Sequence, residues 1–365
     1  MMTLLALAIV FLHVVGYLPA AAALQICPSS YNCLGFVQFP LHKGYSSGSL
    51  VSHYYPSIGL NISIPSDWIQ SPKIQSINEI ATYNAPFQGQ SDKFSENLVI
   101  KKGRYLNNLS SPVFSNATLA GLEKLPNFQL QERNDKFTLS GFQANKFRYS
   151  YSSNRNQYMS TQVGLIVGSA YLTFTYNAEL GKYAEYNPTI EKILTSVKLN
   201  DSALTGIPEN KTIALVNNTI GISVKYPSNW MRADGDYLGS IVTLLAPLES
   251  PLDFYYDNIR IYSRQVNQTN ITSLENMVKG VEAKFDKTLK DFKVLSRVNE
   301  TVSNSHALTI VYTFTGNDGY HHKILRSTFM PKPNQLYDVI YDSTNDTFDK
   351  YLPIVKQVLA SLSVS

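Results

Sequence analysis

A chain of 365 residues, 44% hydrophobic and 16% charged, has the composition of packed globular material, and its length suits two domains of ordinary size. The formal charge of +4 is small for that length and its basic residues are scattered among carboxylates. Nucleic-acid binding needs a far larger basic face and is set aside.

Residues 4–23 form an apolar run that ends in Ala20-Ala21-Ala22-Ala23. Small residues there suit a cleavage site, so residues 1–23 read as a secretory signal peptide. The run also approaches the length of a spanning helix, and retained it would be an N-terminal anchor. Either way the remainder is expected to be extracellular or on the exterior of the cell envelope. The only two cysteines, Cys27 and Cys33, follow at once. In an exported chain so close a pair closes a small disulfide loop, whereas two thiols alone do not complete a zinc site. Residues 24–54 are then this loop and a linker.

A first domain runs over 55–199. Its opening segment, Ser57-Ile58-Gly59-Leu60-Asn61-Ile62-Ser63-Ile64-Pro65-Ser66-Asp67-Trp68, alternates apolar and polar residues as a half-buried strand does, and ends at a proline that removes a ladder donor. Strands near 79–85 and 96–102 follow, then a weak helix around Ala117–Leu125. A hairpin is expected over 128–139 and 142–152, then strands at 158–167 and 169–177. A last helix should start near Pro188 and turn Ile190, Ile193, Leu194 and Val197 to one side. The tight basic group Lys101-Lys102-Gly103-Arg104 reads as a solvated strand end.

After a linker over 200–215, residues 216–365 repeat the pattern. Thr219 through Trp230 restates the opening strand, and the two tryptophans of the chain close the two segments. Thr272-x-x-Glu275 is a capping box ahead of Leu274, Met277, Val278, Val281 and Phe285. Asn317-Asp318-Gly319 is a hairpin turn between Leu308–Phe314 and Lys323–Phe329. Leu336–Tyr341 is a strand, and a final helix begins at Pro353. Glu96 is echoed by Asp257, Ala144 by Ala307, Tyr149 by Tyr312 and Tyr176 by Tyr341, at offsets that stay between 161 and 165 residues. A period this long is a duplicated domain, since solenoid units run to about 20–50 residues.

The order of these motifs resembles the PsbP family, named after the extrinsic lumenal subunit of photosystem II. The likeness rests on Gly221 through Trp230, Asp257-Asn258-Ile259, Ala307 and Tyr351-Leu352-Pro353 in the second copy. In the first it rests on Gly59 through Trp68, Glu96-Asn97-Leu98, Gly141-Phe142-Gln143-Ala144 and Asn187-Pro188. Two positions depart from the pattern: Asn304 stands for the hairpin glycine, and Ile64 for the tyrosine before the proline. The resemblance implies two tandem α/β/α sandwich domains, each with a central antiparallel sheet. It also implies a non-catalytic subunit with a protein partner at a membrane or envelope surface. No cofactor is expected, and calcium or another divalent cation enters only through the family likeness.

Ten Asn-x-Ser/Thr sequons, at Asn61, Asn108, Asn116, Asn200, Asn210, Asn217, Asn267, Asn270, Asn299 and Asn345, suit a glycosylated exported surface. Of the residues able to do chemistry, His321-His322 is the most tempting pair. Neighbours on a strand point to opposite faces, so the two cannot chelate one metal together. They read as solvent-facing or hairpin-edge histidines, with a ligand role shared with Asp318 as the lesser reading. Asp338 and Asp342 flank Tyr341 and could line a shallow cation site. No nucleophile elbow, zinc helix or phosphate loop is present. The leading expectation is therefore a non-catalytic binding or assembly subunit. A small-ligand or metal-binding module using an interdomain cleft comes second, and an extracellular hydrolase third.

Overall fold

The computed structural model describes residues 48–364 apart from 73, 90–91, 201–210, 220, 234–236 and 267–272. Its described residues divide into two compact units, one of those within 18–206 and 249–254, the other of those within 207–248 and 255–365. The expected signal segment and the Cys27–Cys33 loop lie outside the described residues.

In the first repeat β1 (Leu50–Tyr55) and β2 (Leu60–Pro65) are joined through a short 3-10 turn that ends on Gly59, whose φ of 58° explains the glycine. There follow β3 (Ile69–Gln70), β4 (Glu79–Asn84), β5 (Asn97–Arg104) and α1 (Ser111–Leu122). Next come β6 (Gln129–Leu139), β7 (Phe142–Ser153), β8 (Asn156–Val167), β9 (Ala170–Glu179), α2 (Tyr183–Ser196) and β10 (Lys198–Leu199). Strands β3-β4-β5-β9-β8-β7-β6 make a seven-stranded antiparallel sheet, and β1-β2-β10 make a separate three-stranded one.

The second repeat carries β11 (Thr212–Asn217), β12 (Ile222–Pro227), β13 (Met231–Arg232), β14 (Val242–Leu245), β15 (Asn258–Gln265) and α3 (Leu274–Thr288). It continues with β16 (Lys290–Val302), β17 (Ser305–Thr315), β18 (His321–Lys332), β19 (Gln335–Thr344), α4 (Phe348–Ser361) and β20 (Ser363–Val364). The strand orders are the same in both copies: β13-β14-β15-β19-β18-β17-β16 and β11-β12-β20.

Each copy is an α/β/α sandwich. On one face of the large sheet, Leu60, Ile62 and Ile64 of β2 join Ile190, Ile193 and Leu194 of α2 in a single core. Ile222, Val224 and Tyr226 join Val355, Val358 and Leu359 of α4 in the same way. Burying each such aliphatic side chain contributes about 1.5–3 kcal/mol. The opposite face is closed by α1 over Phe147, Tyr149 and Tyr151, and by α3 over Leu308, Ile310 and Tyr312. Trp68 packs edge-on against Tyr186 at 6.2 Å, and Trp230 against Tyr351 at 5.6 Å.

Several boundaries differ from the sequence reading. Residues 50–54 and 212–215, read as linker, are strand, because each supplies the outer partner of the opening strand. The opening strand itself belongs to the small sheet, which the sequence did not announce. The last helices start one turn before their prolines, with Pro188 and Pro353 inside the helix. Buried Tyr183 and Tyr186, and Phe348 and Tyr351, hold those first turns down despite the missing N–H. Helix α1 begins at Ser111 with Pro112 in its first turn, six residues earlier than expected. The cap of α3 is Ser273, whose hydroxyl accepts from the Asn276 N–H at 3.1 Å. At the hairpin, Ser303 and Asn304 adopt φ of 49° and 58°, matching Ser140 and Gly141 at 53° and 83°, so asparagine serves where the family places glycine.

Candidate functional site: the charged face of the second repeat

Alternation along β15, β18 and β19 turns Ile259, Ile261, Leu325, Val339 and Tyr341 into the α4 core. The intervening positions hold Arg260, Tyr262, Arg264, His322, Arg326, Asp338 and Asp342 on the other side. Arg326 grips Asp338 through two hydrogen bonds, 2.9 Å from Nε and 2.8 Å from its terminal nitrogen, and Thr328 donates a third at 2.7 Å. Arg260 donates to one oxygen of Asp342 at 2.6 Å. The other oxygen accepts from the Tyr255 hydroxyl at 2.6 Å and lies 3.2 Å from Nδ1 of His322. Nε2 of His322 meets Asp318 at 3.1 Å.

Arg260, His322, Arg326, Asp338 and Asp342 are all buried. Burial works against the charge on each aspartate, but the facing cations prevail and hold both below the usual carboxylate range. Burial also works against the imidazolium of His322. Its hydrogen bonds to Asp318 and Asp342 outweigh that and push it up to about 9. The cluster is therefore a lattice of fixed, opposed charges at neutral pH, with none of these three groups titrating there for proton transfer.

The first repeat shows what the scaffold needs. By ladder register, Arg260, Arg264, Arg326, Asp338 and Asp342 correspond to Val99, Gly103, Gln162, Thr173 and Asn177. Those five are uncharged, and Asn177 is held by ordinary amide and hydroxyl contacts: it accepts from Ser160 at 2.8 Å and donates to Asn97 at 3.0 Å. His322 corresponds to Tyr158, which stacks on Tyr151 at 5.5 Å beside Phe94. In the second repeat His322 lies on Phe314 at 4.7 Å with Tyr255 edge-on at 5.3 Å. One spatial position thus holds an aromatic trio in one copy and a histidine clamp in the other. Buried ion pairs seldom stabilise more than apolar residues of similar volume. The first repeat closes the same sheet without these five charges, while burying Glu79 and Lys102 of its own; the cluster is therefore particular to the second repeat, which makes it the candidate functional face.

A different group sits in the first repeat. Glu96 is fully buried, and neither carboxylate oxygen has a hydrogen-bond partner. Lys182 stands 3.8 Å away but is bonded more closely to Asp92 at 2.6 Å. Burial pushes Glu96 up to about 7, with Asp92 adding to the shift and Lys182 and nearby amides offsetting part of it. Its counterpart Asp257 accepts from Ser343 and Thr347 at 2.5 and 2.8 Å instead.

The structure corrects three readings of the sequence. Both histidines open β18 at the hairpin edge, but His322 is sealed against Asp318 and not solvent-facing, and of the pair His321, on the opposite face, is the exposed one. Asp338 and Asp342 do not line a shallow site, because each is buried against an arginine. The Lys101–Arg104 group is not a solvated strand end: β5 runs between β4 and β9, and Lys102 is buried. Among the described residues no group of three or more His, Cys, Asp or Glu is disposed to hold a metal ion. Asn108, Asn116, Asn200, Asn299 and Asn345 are exposed and Asn61 and Asn217 half-buried, while Asn210, Asn267 and Asn270 lie outside the described residues. Arg260, Arg264 and Arg326 escaped the sequence reading. Comparing the copies position by position would have found them, as charges standing where the other copy has none.

No protein-family model matches the chain, and neither does any curated protein sequence. Among solved structures it is similar to the PsbP protein (CyanoP) of Synechocystis sp. PCC 6803, at 15% identity over 44% of this chain and 96% of that one, TM-score 0.33. It is similar to LpqN, involved in cell envelope biogenesis of Mycobacterium tuberculosis, at 15% identity over 42% and 91%, TM-score 0.33. A third likeness is to PA94 of Pseudomonas aeruginosa, a putative regulator, at 20% identity over 41% and 96%, TM-score 0.30.

Proposed function

We propose that this protein is a non-catalytic, exported binding or assembly subunit that works at the outer face of a membrane complex or cell envelope through the charged face of its second repeat. The observation that carries this is the replacement of Val99, Gln162, Thr173 and Asn177 by Arg260, Arg326, Asp338 and Asp342 on an otherwise duplicated sheet. Paired, buried charges orient one another and offer no free base or nucleophile, and they would bear on a partner through Arg264 at their edge, whose side chain is 36% exposed. Glu96 does titrate near neutrality, but its side chain is enclosed and out of a substrate's reach. Export is supported by the apolar N-terminal run, the adjacent cysteine pair and the five exposed sequon asparagines.

Co-purification from native membranes under mild detergent tests the reading. A defined partner should be recovered with the wild type and lost when the second repeat takes the residues of the first, R260V/R326Q/D338T/D342N. Recovery of the same partner with both chains would remove the charged face from the function.

A small-ligand reading has one observation in its favour. Ser263 stands where the first repeat buries Lys102, and a shallow cleft there is lined by Ser263, Gln335, Tyr337 and Lys332. Saturable quenching of tyrosine fluorescence by a small polar ligand, abolished by S263K, would bring it forward.

A further inference from the structure

On the second repeat's face Arg260, Arg264, Arg326 and His322 meet Asp318, Asp338 and Asp342, and Asp338 is shared between two arginines. Asp338 is already committed to Arg326 and Thr328 by three hydrogen bonds, so Arg264 reaches it only as an ion pair at 3.6 Å. Nε of Arg264 is buried with no hydrogen-bond partner, yet 36% of the side chain remains exposed. The other two arginines have side chains only 10% and 8% exposed. Arg264 is thus the one member of the cluster that combines unspent donors with access to the outside. Its counterpart in the first repeat is Gly103, which has no side chain at all.

We propose that Arg264 is the recognition point for a carboxylate on an acidic segment of the partner protein. The proposal rests on the binding-subunit reading and names the chemistry of its contact. A guanidinium offers two parallel N–H donors that match a carboxylate's two oxygens. Arg326 and Asp338 serve as positioning residues: Asp338, held by Arg326, lies 3.6 Å from a terminal nitrogen of Arg264 and fixes where the guanidinium sits.

The test is a titration of the full chain with a glutamate-rich peptide, following the arginine Nε–Hε resonances by NMR, with inorganic phosphate as the comparison arm. The Arg264 signal should shift saturably with peptide while those of Arg260 and Arg326 hold still. R264A, checked for fold by near-ultraviolet circular dichroism, should lose about tenfold or more in peptide affinity, the scale of one charge-assisted hydrogen bond. R264K, which keeps the charge without the fork, should fall between. Equal peptide affinity in R264A, or no saturable shift of Arg264, overturns the proposal. A response to phosphate at lower concentration than to peptide overturns the carboxylate assignment. A native-membrane partner that still co-purifies with R264A would leave the subunit reading standing and remove Arg264 from it. Wild type that recovers no partner would count against the subunit reading, with the peptide titration still judging Arg264 by itself.

Discussion

The imidazole of His322 lies flat on the ring of Phe314, with centroids 4.7 Å apart and planes 7° from parallel, while both its nitrogens face aspartates. Protonation is favoured from the edge by Asp318 and Asp342 and from the face by the aromatic ring. The result is a buried cation that ties the turn carrying Asp318 to the sheet.

That arrangement makes the second repeat sensitive to alkali. The folded pKa of His322, about 9, lies above its ordinary 6.5. Its contribution is therefore complete below about pH 6.5 and is lost as pH rises through 9. A shift of this size corresponds to roughly 3 kcal/mol. Urea midpoints of the second repeat should fall between pH 6.5 and 9, and H322F should flatten that slope. An imidazole titration midpoint below 7 by NMR would contradict the clamp.

Glu96 should make the first repeat respond in a lower window. Its pKa is raised from 4.5 to about 7, so the stabilisation it lends is complete below 4.5 and is lost as pH rises through 7. E96Q should be more stable than wild type at pH 8, by about 1–3 kcal/mol, and no more stable at about pH 4. Parallel urea curves for the two chains across this range would show that Glu96 does not titrate there.

The paired tryptophans predict a core loss. Trp230 is 1% exposed and Trp68 6%, each against an equivalent tyrosine. W230A should cost about 3–5 kcal/mol, the range for a large aromatic in a core, and W68A a similar amount in its own repeat. A loss below about 1 kcal/mol in denaturant melts would mean the ring is not a core element.

Breaking and replacing the ion pairs should have opposite weights. D338A leaves Arg326 buried without its partner and should cost about 3–5 kcal/mol. R326Q/D338T, which installs Gln162 and Thr173 of the first repeat, should stay within about 2 kcal/mol of wild type. A double variant as unstable as D338A would mean that the pair is needed for folding after all.

Location is tested by intact mass. The native chain should begin near Leu24, carry glycans at exposed sequons and hold Cys27 joined to Cys33. A chain that starts at Met1, unglycosylated and with two free thiols, would place it in a reducing compartment and remove the export reading.

The repeat itself was written in the sequence. Alternating Ile222, Val224 and Tyr226, the Pro-Ser-x-Trp turn and the constant offset between copies depend on local period and spacing, which neighbouring residues alone set. The central antiparallel sheets were expected only through the family resemblance that those motifs carry. The charged face was not legible, because its members come from β15, β18 and β19, and no local pattern says that Arg326 will meet Asp338 or that His322 will meet Asp342. Ladder register decided it: residues 20 apart in the chain, His322 and Asp342, become neighbours only once β18 and β19 are aligned. Burial then decided what those residues are. Read locally, His322 is a polar residue beside a turn; enclosed by Phe314, Tyr255 and two aspartates, it becomes a fixed cation.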